Sequence, residues 1–138
     1  MQLSHDFLRT EVMQMNEELI PVGEYRESFN KQLDISLPTG TIYRSSRLIN
    51  HIQRRHPDFV GYMDKLPEIL LNPDYIGQNP KEPDSMELVK VFDDNILVAV
   101  KLDIKNQYLY VASLYDISDG KLERRVHSGR LKKVQTQD

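Results

Sequence analysis

The sequence predicts an α+β domain, with N-terminal helices packed on one face of a C-terminal antiparallel β-meander. Two observations carry this. Apolar residues with helical spacing dominate up to Leu71, and strict alternation separated by short turns marks three strands between Met86 and Ile117. Helices first and strands last is the order of an α+β fold whose helices cover a sheet face.

Leu8, Val12, Met15 and Leu19 recur at helical spacing, so residues 4–19 read as an amphipathic helix that Pro21 ends. Leu33, Ile35 and Leu37 alternate, predicting a short strand before the Pro38-Thr39-Gly40 turn. A second helix is expected from Ser45 or Ser46, either of which can cap it, to the residue before Pro57. Phe59, Met63, Leu66 and Leu70 form a further stripe, interrupted where Pro67 can restart a helix at its first position. Residues 73–85, rich in Pro, Asn and Asp, read as a long exposed loop. The strands follow: Met86 to Phe92, Ile96 to Ile104, and Leu109 to Ile117, with Leu109, Val111, Ser113, Tyr115 and Ile117 sharing one face.

At 138 residues, 39% hydrophobic and 28% charged, the chain suits one folded domain. With no cysteine it has neither disulfides nor thiolate metal sites, which fits a reducing compartment. No apolar run approaches membrane-spanning length and Met1 to Thr10 is not a signal peptide, so a cytoplasmic protein without membrane association is expected. The net charge of −3 is unevenly spread. Residues 120–138 hold six Lys or Arg against two acids, a local +4 that leaves −7 on the first 119. Arg44, Arg47, Arg54 and Arg55 make a second basic zone; both zones could meet phosphates or be solvated faces.

On the second helix, His51 lies at the edge of the Leu48, Ile49 and Ile52 stripe, flanked by Arg47 and Arg55. A boundary histidine can titrate near neutrality and still reach a cleft, although an ordinary surface histidine looks the same. His56 falls at the helix end, where an imidazolium suits the dipole. The two histidines are five residues apart and cannot share a metal-ligating face; no HExxH, GxGxxG or P-loop pattern exists, so neither metal nor cofactor is expected.

If Lys105-Asn106 is a two-residue hairpin loop, Val98 stands opposite Ser113, and Ser113 and Tyr115 face the helices. If Phe92 pairs with Ile96, Lys90 falls opposite Val98 in the same row, and Lys101 drops to the other face. A slip of one residue in either turn would send Lys90 or Ser113 to solvent. A lysine on a core face must find a partner or a cleft. Histidine, lysine, arginine and a hydroxyl are parts that can cleave RNA without a metal: a base, cations for the phosphorane and a hydrogen-bond donor.

The segment Ile42-Tyr43-Arg44-Ser45, with Asn50-His51-Ile52-Gln53-Arg54-Arg55-His56-Pro57, resembles the opening of phage-associated nuclease domains of the barnase, EndoU, colicin and RelE group. Leu66 to Ile76 is similar to that family's middle segment. Leu88-Val89-Lys90 with Ile96 to Val100, and Tyr110 to Tyr115, look like its lysine-bearing and final strands, with Ser113 where threonine is usual. The likeness covers residues 41–117, leaving 1–40 as an N-terminal helix and strand region and 118–138 as a basic C-terminal segment of one domain.

The resemblance implies an endoribonuclease acting by 2′-OH transphosphorylation. His51, with His56 as second candidate, would be general base or acid, Lys90 and Arg55 would stabilise the phosphorane, and Ser113 would bind the phosphate. Arg44, Arg54, Arg55 and Tyr115 would bind RNA, with Tyr115 stacking on a base. Expected partners are RNA, including tRNA or ribosome-associated RNA, and a cognate inhibitor or immunity protein, as suits a toxin or mobile-element effector. The alternative is an inactive nucleic-acid or protein-binding module on the same fold.

Overall fold

The computed structural model describes residues 18–135. The helix expected over residues 4–19 lies almost wholly outside that range, and at its end Leu19–Tyr25 form strand β1, which takes in Pro21. Helix α1 (Glu27–Leu33) follows and closes on Asp34, whose backbone is left-handed at φ 57°. No strand forms over residues 33–37. The buried side chain of Asn30 prevents it by binding that stretch to α1. Its Oδ1 accepts from the Tyr25 hydroxyl at 2.6 Å and the Leu37 amide at 3.1 Å, while Nδ2 donates to the Leu37 carbonyl at 2.8 Å. Leu33, Ile35 and Leu37 still pack on the core, so the alternation was an inward-facing signal without a ladder.

Strand β2 (Gly40–Ser45) leads into helix α2 (Leu48–Arg55). Neither serine caps α2 as expected: Ser45 Oγ accepts from the Arg47 amide at 2.9 Å, and Ser46 Oγ from the Glu18 amide at 3.2 Å. The helix stops before Pro57, as proline chemistry requires. A 3-10 segment (Pro57–Lys65) runs into helix α3 (Leu66–Leu71), with Pro67 in its first turn. The expected loop contains a short strand, β3 (Tyr75–Gly77), whose Ile76 is fully buried. Strands β4 (Ser85–Val91), β5 (Asn95–Asp103) and β6 (Tyr108–Ile117) follow, then helix α4 (Asp119–Ser128) and strand β7 (Leu131–Lys133).

The seven strands form one mixed sheet in the order β1-β2-β6-β5-β4-β3-β7. The expected meander is its centre, β4-β5-β6, but two features exceed a meander. Strand β2 pairs parallel to β6, and β7 returns from the C-terminal segment to pair with β3. Nor are the helices all N-terminal, since α4 follows the last meander strand. Residues 119–133 are thus part of the fold.

The register explains the faces. Near the turn β5 and β6 pair as expected, Leu102 with Leu109 and Val100 with Val111. Ala112 is then an extra residue, a β-bulge, and beyond it Ala99 faces Ser113 and Val98 faces Leu114. Because side chains alternate, one inserted residue exchanges the faces. Leu109, Val111 and Leu114 join the main core beneath α1, α2 and α3, together with Met86, Leu88, Ile96 and Val98. Tyr115 and Ile117 turn to a second, smaller core with Val89, Leu97, Leu122 and Leu131, under α4.

Within this second face Glu87 is buried, and its carboxylate accepts from Arg130 Nε at 3.0 Å and a terminal nitrogen at 2.6 Å. Arg125 approaches the same carboxylate at 4.0 Å. Gly77 allows β7 to lie this close, since a Cβ there would collide with the Arg130 carbonyl. Replacing Glu87 by alanine strands two guanidinium groups against an apolar face. Glu87→Ala is therefore expected to lower stability by about 3 kcal/mol, the scale for breaking a buried ion pair, read from urea unfolding midpoints.

Candidate functional site

The pairing of β2 with β6 covers only Ile42–Leu109 and Tyr43–Tyr110. Past that point β2 turns into α2, which packs on β6. Leu48 and Ile52 are buried in the main core, and the boundary residues His51 and His56 face the β6 side chains that the bulge has turned to the second face. Ser113 Oγ and His51 Nε2 lie 3.4 Å apart, and the His56 ring stacks on Tyr115 with centroids 5.2 Å apart at 28°. Two turns of helix therefore engage successive residues of one strand face.

Beside this contact is an open groove of about 770 Å³, between α2 and the end of the sheet. His51, Asn50, Arg47 and Arg54 line it from the helix side, and Lys101, Tyr110 and the bulged Ala112 from the sheet. The His51 pKa lies below the ordinary histidine value, first through desolvation and then through the positive charges of Arg54, Arg55 and His56. An imidazole so placed is neutral near pH 7 and can accept a proton. Lys101 is held the other way: a 3.0 Å ion pair with Glu82 outweighs burial and raises its pKa, keeping the ammonium charged.

Five of the eight residues singled out from the sequence meet here. His51 and Ser113 touch, Arg54 lines the groove, and Tyr115 with His56 flanks it. Arg55 is exposed on α2 and contributes its charge to His51. Arg44 turns back to donate to the Ser45 carbonyl at 3.1 Å.

Lys90 lies elsewhere. It is opposite Ile96, not Val98, because the β4–β5 turn closes with Val91 opposite Asn95, one residue earlier than the expected Phe92–Ile96 pair. The even-numbered shift keeps it on the main-core face as expected, but the bulge has moved Ser113 to the other face. Its ammonium donates to the Asn72 carbonyl at 3.0 Å and lies 3.9 Å from Asp74. The lysine in the groove is Lys101, set aside from the sequence because it falls on the face opposite Val98 and Val100. The bulge brings Ser113 to that same face, and no residue pattern announces it. The Glu87, Arg125 and Arg130 cluster also escaped notice; the basic C-terminal stretch was its only signal. Behind Tyr115, burial and then Glu87 raise the phenol pKa, with Arg125 and Arg130 opposing.

Among the described residues no three His, Asp or Glu side chains are grouped as a metal site requires, and no helix is long and apolar enough to cross a membrane. No curated protein and no solved structure matches the chain. The family model described as phage-Barnase-EndoU-ColicinE5/D-RelE like nuclease3 does match, over residues 20–124, from the second residue of β1 to the sixth residue of α4. That match takes in β1 through β6 and the groove between α2 and β6, and the chain belongs to this nuclease family.

Proposed function

We propose that the chain is a metal-independent endoribonuclease that cleaves RNA by attack of a 2′-OH on the adjacent phosphate. The observation that carries this reading is the contact between His51 and Ser113 at the wall of a groove that also holds Arg54 and Lys101. Neutral His51 takes the 2′-OH proton as general base. The 2′-oxygen then bonds to phosphorus as the bond to the 5′-oxygen breaks, and the departing oxygen takes a proton from water, leaving a 2′,3′-cyclic phosphate and a 5′-OH. Arg54 and Lys101 stabilise the negative charge that builds on the phosphorane, and the Lys101 ammonium steadies the departing 5′-oxygen. Ser113 orients the imidazole and hydrogen-bonds a phosphate oxygen. His56 and Tyr115 form a flat wall beside the site. Such an activity suits a toxin or mobile-element effector acting on RNA in the cytoplasm, with a cognate inhibitor or immunity protein as its counterpart.

Lys90 has no part in this scheme, because its ammonium is committed to Asn72 and Asp74. Purified protein incubated with RNA in EDTA is expected to give 2′,3′-cyclic phosphate ends. His51→Ala should slow this roughly 100- to 10,000-fold, the range for losing a general base, while folded Lys90→Ala keeps most of the activity. Undiminished cleavage by His51→Ala removes the assignment. Salt-dependent RNA binding by the wild type without product points instead to an inactive binding module.

The acid limb of the pH–rate profile should follow His51. Its pKa is depressed in the fold, so the base stays competent below the ordinary histidine range and fails only where protonation overtakes it. Arg55 is one source of that depression. Arg55→Gln removes a positive charge, so the His51 pKa should rise and the acid limb of kcat/KM should move to higher pH. A limb unmoved in Arg55→Gln would show that another group sets it.

A further inference from the structure

Three tyrosines on the second face are unaccounted for by either core. Tyr43 on β2 faces Tyr110 on β6 across the parallel pair, and Tyr108 is two residues from Tyr110 on the same side. Their rings meet: Tyr43 and Tyr108 edge to face at 5.8 Å, Tyr108 and Tyr110 tilted at 6.1 Å. All three are half-exposed, and among the described residues none belongs to the packing of the main core or of the core under α4. Large aromatic rings held against one another while open to solvent bury little area for their size. Such a surface adds little to either core and is suited to stacking, with the Tyr108 hydroxyl anchored on the Asp103 carboxylate.

Position and charge indicate what would stack there. Tyr110 lines the groove that holds His51, and its cross-strand partner is Lys101. The aromatic strip therefore begins where the basic groove ends and leads away from the reacting phosphate. At its far end Tyr108 stands opposite Asp103, whose carboxylate accepts from the Asn106 amide at 3.0 Å. A carboxylate there disfavours a phosphate and leaves the ring faces for bases. A double helix cannot use such rings, because its bases are stacked on each other; unpaired bases can.

We infer that, given a groove that cleaves RNA, Tyr43, Tyr108 and Tyr110 are a stacking platform for unpaired bases beside the scissile phosphate, so the substrate is single-stranded RNA or a loop. The platform selects for strandedness and not for sequence, since every base has a π-face.

The test uses 2′-O-methyl RNA oligonucleotides, which cannot be cleaved because the 2′-oxygen carries no proton, with 2-aminopurine placed next to the central phosphate. Binding to the wild-type protein should quench the 2-aminopurine, and the same strand in a duplex should bind more weakly. Tyr108→Leu should lose about tenfold in affinity, the scale for one lost stack, and Tyr108→Phe should retain it. An unquenched probe on the wild-type protein, equal affinity for duplex, or unchanged affinity in Tyr108→Leu overturns the inference. So does concentration-dependent self-association through the tyrosines with no oligonucleotide binding, which would make the strip a protein interface. The quench on wild-type protein decides the matter even where the leucine variant unfolds. Cleavage is read separately on unmodified RNA. A quenched probe without cleavage leaves the platform standing and removes the ribonuclease reading, whereas cleavage with an unquenched probe does the reverse.

Discussion

The parallel ladder between β2 and β6 ends after two residue pairs, and the placement of the groove depends on that ending. Had β2 continued, its side chains would pair along β6 to Ile117. Instead the chain turns at Ser45 and Ser46 into a helix that packs on the same strand. A strand edge with unsatisfied backbone groups is thereby covered by a helix, a common remedy for exposed edges. The helix brings imidazoles where a strand would have brought backbone amides. Ala112 completes the arrangement. With one extra residue at this point, β6 gives the main core Val111 and Leu114 while turning Ser113 and Tyr115 towards His51 and His56. Sheet bulges often re-aim a side chain beside a functional site, and this one supplies the hydroxyl.

How much of this was legible in the sequence follows from the range of each interaction. The meander strands, α2 and the proline-restarted α3 are written in local periodicity and breakers, and they lie within a residue or two of expectation. Strand β3 could not be read. Its three residues sit among Pro, Asn and Asp, and it is a strand only because β4 and β7 bind it from either side. The false strand at residues 33–37 failed for the opposite reason: the alternation was real, but Asn30 had already bound the backbone groups a ladder would need. At the site, His51 was legible because a helix stripe defines its own boundary. Ser113 was expected near the helix on a wrong premise, since it meets His51 through the bulge and from the other face.

Lys90 and Lys101 show the same lesson in electrostatic terms. A lysine on a core face must be compensated, and Lys90 is, by a backbone carbonyl and Asp74 at the sheet's end. Burial with a partner is a reason to expect structure as readily as function. Lys101, on the wetter face, pairs with Glu82 while remaining partly open, with both side chains 42% exposed. Its ammonium can exchange that carboxylate for a phosphate without first being pulled from a desolvated pair. A surface pair of this kind is worth little, so a phosphate can displace it readily.

An acidic chain can still present a cationic site if its acids near the site are already engaged. The net charge of −3 says nothing against phosphate binding once the individual carboxylates are followed. Glu87 is saturated by Arg130 and approached by Arg125, so the buried cluster behind Tyr115 holds two guanidinium groups for one carboxylate. One nitrogen of Arg125 is buried without a hydrogen-bond partner. Glu82 meets Lys101, and among the described residues no carboxylate lines the groove with Arg47, Arg54 and Lys101. Desolvation first, and then the charges of Arg54 and Arg55, hold the His51 pKa down, and on the proposed reading the same arginines would attract the phosphodiester. The same arginines thus serve base strength and substrate affinity in opposite senses: each cation that binds phosphate also weakens the imidazole as a base. On the proposed reading, the negative charge of a bound phosphodiester would offset the arginines, and the imidazole would regain basicity beside the 2′-OH. In this arrangement proton transfer would be favoured in the complex and disfavoured in the empty groove.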